Sequence, residues 1–378
     1  MEKLLLFSLI ALFSLAGCVS KKQPAEGIAD RITVEKNNFM LNGKRIWING
    51  TNTPWDNWND FGGNFDDSWW NEHFQELHNA GINATRVWIN CNNGNGAIFI
   101  DDDGMVYGAS DNHWNDLDDF FQTAARNKIY IMATLLSFDH FLNENDARPD
   151  EAQQWRNMLN SDAACASFAE NYAIPFVKRY GDNPWLWSID LCNEPDWIFE
   201  RAACGYIPWE RISYFLAVNA AAIHTHSNVL VTVGMASPKY HSDYTGYEGN
   251  KISDAFLKKL YPHEKAYLDF WSPHYYDWAG QWYGVPFYVS PYGNRPLGFG
   301  LVNSKPAVVG ECSANGSKGN TRGTENNTII TDYESAYQKG WQGVMPWTSN
   351  GVDGNGSLED LSPGTKNMLA KYRDIIFP

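Results

Sequence analysis

The sequence has few basic residues for its length. Across 378 residues, 29 Lys and Arg stand against 44 Asp and Glu, and the formal net charge is −15 at pH 7. A surface of this sign repels a phosphate backbone, which argues against nucleic acid as a partner. Charged residues make up only 19% and apolar residues 44%, so the composition excludes a disordered chain and predicts a globular protein.

Metal-binding patterns are missing as well. The six cysteines show no C-x-x-C spacing, which argues against a zinc site. Two acidic loops, 101–104 and 353–357, fail the EF-hand pattern for calcium, so neither a metal nor a cofactor is predicted. Cys165 and Cys204 could pair in an oxidising compartment, but the sequence leaves the connectivity open.

The N-terminus carries a targeting segment. Residues 4–16 form an apolar run that is too short for a permanent membrane span and typical of a signal peptide. The run ends in a Leu-Ala-Gly-Cys motif that resembles the bacterial lipobox, in which the cysteine becomes the lipid-bearing first residue. We therefore expect lipid attachment at Cys18 and a location in a bacterial cell envelope, at the outer membrane. The predicted divisions are a signal peptide at 1–17, a polar tether at 18–28 and one domain at 29–378.

Short β-rich runs alternate with longer helical patterns from residue 45 onward. This alternation predicts parallel βα units, and eight such strands predict an α/β protein of the (β/α)8, or TIM barrel, class. A hairpin over 32–46, with an Asn42-Gly43 turn, is expected to cover the N-terminal face of the barrel. The predicted strands are 45–52, 84–90, 129–137, 186–193, 229–235, 270–276, 307–311 and 343–348. The predicted helices are 68–79, 114–126, 162–179, 209–224, 332–339 and 365–372.

Aromatic residues are abundant, at 15% of the chain. Many of these rings stand beside Asn, Gly or Asp instead of within apolar runs. One interpretation is a large barrel core with some aromatics at its rim. The interpretation that we favour is a cleft of flat surfaces that stack on the apolar faces of sugar rings.

Two carboxylates close predicted strands. Strand four runs into Asn193-Glu194, and strand seven ends at Glu311. The active sites of such barrels lie at the C-terminal ends of the strands. Cleavage of a glycosidic bond needs two carboxyl groups, one to protonate the leaving oxygen and one to attack or stabilise the sugar carbon. The pair is therefore a candidate catalytic site.

These motifs resemble those of glycoside hydrolase family 5, and more broadly the clan A barrels, over nearly the whole mature chain. The resemblance implies a retaining double displacement in which Glu194 is the acid/base and Glu311 the nucleophile. It also implies that Asn193 binds the 2-hydroxyl of the sugar. The positions that match the family's supporting residues are Arg86, Asn193, His274, Tyr276, Trp347 and, after strand three, His140.

The two carboxyl groups need different proton affinities in this mechanism. We expect burial and the charge of Glu311 to raise the pKa of Glu194. Arg86 and Tyr276 are expected to lower the pKa of Glu311. For a retaining enzyme, the carboxyl groups are expected to lie roughly 5 to 5.5 Å apart.

The substrate prediction depends on the tryptophans near strand ends. Their number favours a polymer or oligomer, and the segments 49–52 and 86–88 resemble the mannanases of the family. We therefore predict a monomeric endo-β-1,4-mannanase that acts on β-linked polysaccharide. The alternatives are an endo-β-glucanase, an exo-acting β-mannosidase or β-glucosidase whose loop over 275–304 closes one end of the cleft, and a catalytically inactive glycan-binding lipoprotein. The candidate sugar platforms are Trp55, Trp58, Trp88, Trp278, Trp282 and Trp347.

Overall fold

The computed structural model describes most of the predicted domain. The described residues are 31–91, 97–144, 149–243, 246–276, 290–301, 304–317 and 328–378. The predicted signal peptide and tether, with Cys18, lie outside them. So do Trp278 and Trp282, within the predicted loop over 275–304.

Eight parallel strands form the centre of the fold. Their order in the sheet is seven, six, five, four, three, two, one, eight. Bridges Val309–Val344 and Ser313–Trp347 join the seventh strand to the eighth, so the sheet closes on itself. The predicted TIM barrel is confirmed, and every predicted strand overlaps an observed one. Numbered one to eight, the barrel strands are Ile48–Asn52, Ala84–Trp88, Tyr130–Thr134, Leu186–Asn193, Leu230–Met235, Ser272–Tyr275, Glu311–Cys312 and Gly343–Val344.

Barrel strand four is buried on both faces of the sheet. All eight of its residues are buried, as expected for a parallel strand covered on both sides. Ile189 and Leu191 point outward and join the core shared with the helices. Asp190 points into the barrel, where it accepts hydrogen bonds from Arg86.

Helices surround the barrel. Polar caps begin several of them: Asp66 accepts hydrogen bonds from the backbone of Ser68 and Trp69, and Ser110 caps the second helix. The predicted helices are observed, and three others were not predicted: Pro149–Asn160, Asp196–Glu200 and Asp254–Leu260. Within the described ranges, the α-helices are Asp67–Asn79, Asp111–Asn127, Pro149–Asn160, Asp162–Phe168, Ile174–Tyr180, Asp196–Glu200, Trp209–His226, Asp254–Leu260, Ile329–Lys339 and Leu358–Ile376, and a π-helical turn spans Ala169–Ala173.

Shorter elements complete the fold. A two-stranded hairpin, Ile98–Ile100 with Val106–Ala109, follows barrel strand two. None of the helices in the described part of the chain has the length and apolar character needed to cross a bilayer. The 3₁₀ turns are Phe138–Phe141, Ala202–Cys204, Pro238–Tyr240, Pro296–Phe299 and Val352–Gly354.

A small antiparallel sheet covers the N-terminal end of the barrel. Its strands are Thr33–Glu35, Asn38–Leu41 and Lys44–Ile46. The predicted hairpin is thus confirmed, and the range 32–46 holds three strands instead of two. Asn42 and Gly43 both have positive φ, at 54° and 73°, as a type I′ turn requires.

The cysteines within the described ranges are buried in the core of the protein. Cys165 and Cys204 are both buried free thiols, so the pairing that the sequence left open is not made. Cys91, Cys192 and Cys312 are buried and free as well. Burial raises the pKa of Cys165 and of Cys204 to about 12, which keeps both thiols protonated and unreactive at neutral pH.

Phe39 joins the N-terminal sheet to the barrel, and we expect Phe39→Ala to destabilise the protein. The fully buried ring meets Trp187 and Phe270 edge-on, with centroids 5.3 and 5.2 Å away. Loss of this ring should lower the free energy of unfolding, measured in urea, by about 3 to 5 kcal/mol. Tyr107→Ala removes an aromatic ring that is 64% exposed and should cost less than about 0.5 kcal/mol. Equal losses of unfolding free energy in the two variants would show that the packing of Phe39 against the barrel does not stabilise the protein.

Candidate active site

A cleft of about 860 Å³ opens at the C-terminal ends of the barrel strands. Asn193, Glu194, Tyr276 and Glu311 line its base. Aromatic rings from several βα loops form its walls. They are Trp55, Trp58, Trp88, Phe138, Trp197 and Trp347.

Glu194 is the first residue after barrel strand four. Its backbone has φ of +48°, in the left-handed region, and its N–H donates to the carbonyl of Gly234 at 2.7 Å. The indole Nε1 of Trp197 donates to Oε2 at 2.8 Å, and Nδ1 of His274 lies 2.8 Å from Oε1. Backbone and side chain together therefore hold this carboxyl group in one position.

Glu311 begins barrel strand seven and is 5% exposed. Nη1 of Arg86 donates to Oε1 at 2.6 Å, and the hydroxyl of Tyr276 donates to Oε2 at 3.0 Å. Nδ1 of His274 lies 3.4 Å from Oε2. The structure thus brings His274 between the two candidate catalytic carboxyls.

Arg86 organises the base of the cleft from barrel strand two. It is fully buried, and its Nε and Nη2 donate to Oδ2 of Asp190 at 2.9 and 2.6 Å. Nη1 also donates to Oδ1 of Asn52 at 3.1 Å, and Nη2 to Oδ1 of Asn193 at 2.7 Å. Together with Glu311, four side chains therefore accept hydrogen bonds from this one guanidinium group.

Asp190 and Asn52 were not predicted as site residues. A sequence signal for Asp190 exists, because an aspartate inside an otherwise apolar strand needs a buried partner. Asn52 ends barrel strand one, and its Nδ2 donates to the carbonyls of Gly310 and Met345. It therefore ties strand one to strands seven and eight below the catalytic carboxyls.

The separation of the two carboxyl groups indicates the reaction geometry. An oxygen of Glu194, an oxygen of Glu311 and a ring nitrogen of His274 all lie within 4.8 Å of one another. Retaining glycosidases hold their carboxyls about 5 to 5.5 Å apart, whereas inverting enzymes leave about 6.5 to 9.5 Å for a water molecule. The observed spacing fits the retaining geometry.

Burial dominates the proton affinity of both carboxyls. It raises the pKa of Glu194 to about 7, against the Trp197 hydrogen bond and the charge of Arg86. The charge of Asp190 adds to this rise, and the repulsion between Glu194 and Glu311 that the sequence predicted acts on the pKa of Glu311. Burial also raises the pKa of Glu311, so the expected lowering by Arg86 and Tyr276 is wrong. The neighbouring His274 and Arg86 oppose the rise, but desolvation outweighs them.

His274 is a neutral hydrogen-bond donor in this site. Burial lowers its pKa to about 4, so the ring is neutral near neutral pH. We assign the ring proton to Nδ1, because this nitrogen faces carboxyl oxygens of both Glu194 and Glu311, at 2.8 and 3.4 Å. Nε2 packs beside Gly234: a Cβ there would lie 2.8 Å from Nε2 and 2.7 Å from Nη2 of Arg86. A glycine is therefore required at position 234 for the close approach of these two side chains.

His140 has a different environment from the other predicted site residues. It is 1% exposed and absent from the cleft walls. Its Nε2 lies 2.9 Å from Nδ2 of Asn90, its Nδ1 lies 3.1 Å from both N and O of Ser137, and its ring meets Trp155 edge-on. The structure therefore places His140 in the packing below the loop after strand three.

The predicted tryptophan platforms form one cluster. Trp55 meets Trp58, Trp88 and Trp347 edge-on, with ring centroids 4.6 to 6.3 Å apart. Trp88 is only 2% exposed and packs under the guanidinium of Arg86, so most of its surface is core.

Two further rings in the cleft were not predicted. Phe138 begins the 3₁₀ turn after strand three and Trp197 lies in the helix Asp196–Glu200 after strand four. Both line the cleft together with Glu194, and Trp197 donates a hydrogen bond to it. The one feature of the sequence that could have indicated them is their position, because each follows the end of a strand by only a few residues.

The catalytic cluster also has the composition of a metal site. Among the described residues, Glu194, His274 and Glu311 are the one group of three potential ligands that lie close together. The positive charge of Arg86 already contacts Glu311, and Nδ1 of His274 carries a proton. The donor set is therefore better suited to proton transfer than to holding a cation.

Comparison with known proteins finds mannan-degrading enzymes that are similar to this chain. No protein-family model matches it. A mannan endo-1,4-beta-mannosidase from Mytilus edulis is 26% identical, over 95% of this chain and 96% of that protein. One from Cryptopygus antarcticus is 24% identical, over 90% of each. The predicted resemblance to glycoside hydrolase family 5 is confirmed.

Solved structures show the same fold. The beta-mannanase of Mytilus edulis superposes with a TM-score of 0.77 at 23% identity, over 91% of this chain and 97% of that one. The beta-1,4-D-mannanase of Cryptopygus antarcticus gives a TM-score of 0.76 at 21% identity, over 90% and 94%. Both similarities extend over nearly the whole described domain.

The Glu194 carboxyl should titrate near neutral pH. In protein labelled with ¹³C at the glutamate carboxyls, we expect a signal with an apparent pKa of about 7 that is absent from Glu194→Gln. The folded protein holds this proton more tightly than the unfolded chain, so this group lowers stability as pH rises from 4.5 to about 7. A midpoint near 4.5 would show that the site is more hydrated than the structure indicates.

Proposed function

We propose that the protein is a retaining endo-β-1,4-mannanase. The observation that carries the proposal is the close pair of Glu194 and Glu311, which hold one carboxyl oxygen each within 4.8 Å of the other across the base of the cleft. The full-length relatives named as mannan endo-1,4-beta-mannosidases support the substrate and the endo mode of cleavage.

The first step uses the two carboxyls in opposite states. Glu194, with a pKa of about 7, carries a proton near neutral pH and gives it to the glycosidic oxygen as the bond to the sugar carbon breaks. Glu311 is ionised and attacks that carbon, forming a covalent glycosyl-enzyme. Arg86 and Tyr276 hold its two oxygens in place for the attack.

The second step reverses the proton transfer. Glu194, now a carboxylate, takes a proton from water as the water attacks the glycosyl-enzyme and releases Glu311. Trp197 and His274 both donate hydrogen bonds to Glu194, and these bonds strengthen when the group is charged. Two displacements at one carbon return the sugar to its original configuration.

The walls of the cleft suit a neutral polysaccharide. Trp55, Trp58 and Trp347 are partly exposed there and offer flat apolar faces, on which the C–H surfaces of sugar rings stack. Phe138 and Trp197 extend this surface on the Glu194 side, where the leaving group must sit. Aromatic contacts on both sides of the carboxyls favour a chain of several sugars.

Product analysis tests the proposed function directly. Purified protein should release a series of oligosaccharides from β-mannan, with retained anomeric configuration by NMR. Glu311→Ala should lower the rate by at least about a thousandfold, because no other group can form the glycosyl-enzyme. Glu334→Ala, on the helix Ile329–Lys339 and outside the lining of the cleft, is the matched control and should keep full activity.

Any different pattern of products would contradict the proposal and favour one of the alternatives predicted from the sequence. Oligosaccharides from β-glucan alone would make the protein an endo-β-glucanase. Release of monosaccharide alone would make it an exo-acting β-mannosidase or β-glucosidase. Binding of a glycan without release of product would indicate a glycan-binding lipoprotein.

We also propose that a lipid on Cys18 anchors the enzyme in a bacterial envelope, at the outer membrane. The apolar run before the Leu-Ala-Gly-Cys motif and the polar tether after it support the lipid anchor. The monomeric state and the lack of a nucleic-acid partner stay predictions.

Cys18→Ser tests the anchor. In a bacterial host, the unaltered protein should pellet with membranes and enter the detergent phase on partitioning, because buried acyl chains give stable membrane binding. Cys18→Ser should leave this phase, whereas the neighbouring Ser20→Ala should stay in it. Equal behaviour of the two variants would contradict lipid attachment at Cys18.

A further inference from the structure

A chain of hydrogen bonds runs from the buried arginine to the wall of the cleft. Nη2 of Arg86 donates to Oδ1 of Asn193 at 2.7 Å, and Nδ2 of Asn193 donates to Oγ of Ser137 at 3.2 Å. The Ser137 hydroxyl then donates to Oδ2 of Asp139 at 2.6 Å. Asp139 lines the cleft beside Glu194. The motifs of the sequence indicated neither Ser137 nor Asp139 as a site residue.

The chemistry at both ends of this chain sets its direction. A guanidinium group has only donors, so the atom of Asn193 that faces Arg86 must be the oxygen. An ionised carboxylate has only acceptors, so Ser137 must donate to Asp139 and can then accept from Asn193. The orientation of an amide is otherwise ambiguous from the positions of its heavy atoms. Here both ends demand the same orientation.

The surroundings keep this chain rigid and polarised. Ser137 is 1% exposed and Asn193 is 6% exposed. The two residues form a parallel bridge, and the backbone N–H of Asn193 donates to the carbonyl of Leu136 at 2.8 Å. Burial raises the pKa of Asp139 to about 6, so this carboxyl is mostly ionised at pH 7 and remains an acceptor.

We propose that Asp139, acting through Ser137, is a positioning residue that orients the amide of Asn193 for the substrate 2-hydroxyl. The chain uses one N–H of Nδ2 on Ser137 and leaves the other for a sugar hydroxyl. If the amide of Asn193 were reversed, its nitrogen would face Nη2 of Arg86, and both of these groups are hydrogen-bond donors. This inference rests on the proposed function, in which the contact to the 2-hydroxyl strengthens in the transition state.

Two substrates that differ only at the 2-hydroxyl test the inference. They are an aryl β-mannobioside and its analogue without the 2-hydroxyl on the sugar that carries the aryl group. Ser137→Ala should lower kcat/KM for the first by about tenfold, mainly through kcat, and leave the second within about twofold. Asp139→Asn keeps an acceptor for Ser137 but adds a competing donor, and should lose about threefold on the first substrate alone.

Two reference variants make the comparison specific. Asn193→Ala removes the amide itself and should abolish the preference for the 2-hydroxyl. Ser237→Ala removes an equally buried hydroxyl after barrel strand five, where it caps the turn Pro238–Tyr240. That variant should change kcat/KM for both substrates by less than about twofold.

The outcomes separate the inference from the proposed function. If the unaltered protein cleaves neither β-mannan nor the aryl mannobioside, the proposed function fails. If it cleaves both but Ser137→Ala weakens the two aryl substrates equally, the positioning role is overturned. It is overturned as well if Ser137→Ala has no effect on either substrate, or if Asn193→Ala keeps the preference for the 2-hydroxyl.

Discussion

The buried guanidinium of Arg86 is the interaction on which the rest of the site depends. A fully buried charge is tolerated only when it is paired and hydrogen-bonded, and Arg86 meets this condition through carboxylates on barrel strands four and seven and amides on strands one and four. The glycine at position 234 lets His274 and Arg86 approach closely. One arginine on strand two thereby fixes side chains from three other strands.

The burial that makes the pairing of Arg86 necessary also raises the pKa of Glu194, the proposed acid. Glu194 has a raised pKa because it lies in a dry site, and the hydrogen bonds from Trp197 and His274 limit that rise without cancelling it. Glu311 experiences the same desolvation but receives Arg86 and Tyr276 directly. Burial raises the pKa of both carboxyls, and the two groups differ in the side chains that donate hydrogen bonds to them.

Much of the fold and the pair of carboxyls could be predicted from local patterns. The eight strands, the hairpin at Asn42-Gly43 and the Asn-Glu pair after strand four are visible as short motifs. The helix Pro149–Asn160 was missed although Ala152, Trp155 and Leu159 are buried at helical spacing. The lowered pKa expected for Glu311 was wrong because neighbouring charges were considered without the depth of burial, which no local pattern reports.

Periodicity and strand-end motifs depend on residues that are neighbours along the chain, so the sequence alone was sufficient for the barrel and for the candidate carboxyls. Their expected partners Arg86 and Tyr276 followed from the resemblance to glycoside hydrolase family 5. Three features could not be found in this way: the four-way pairing of Arg86, the hydrogen-bond chain from Asn193 to Asp139 and the burial of His140. The first two join residues that are distant in sequence, and the third depends on the direction of a side chain within a loop. Closure of the barrel brings these groups to distances of about 3 Å, where hydrogen bonds and desolvation act. Only the tertiary structure could decide them, because both effects depend on separation and exposure in space.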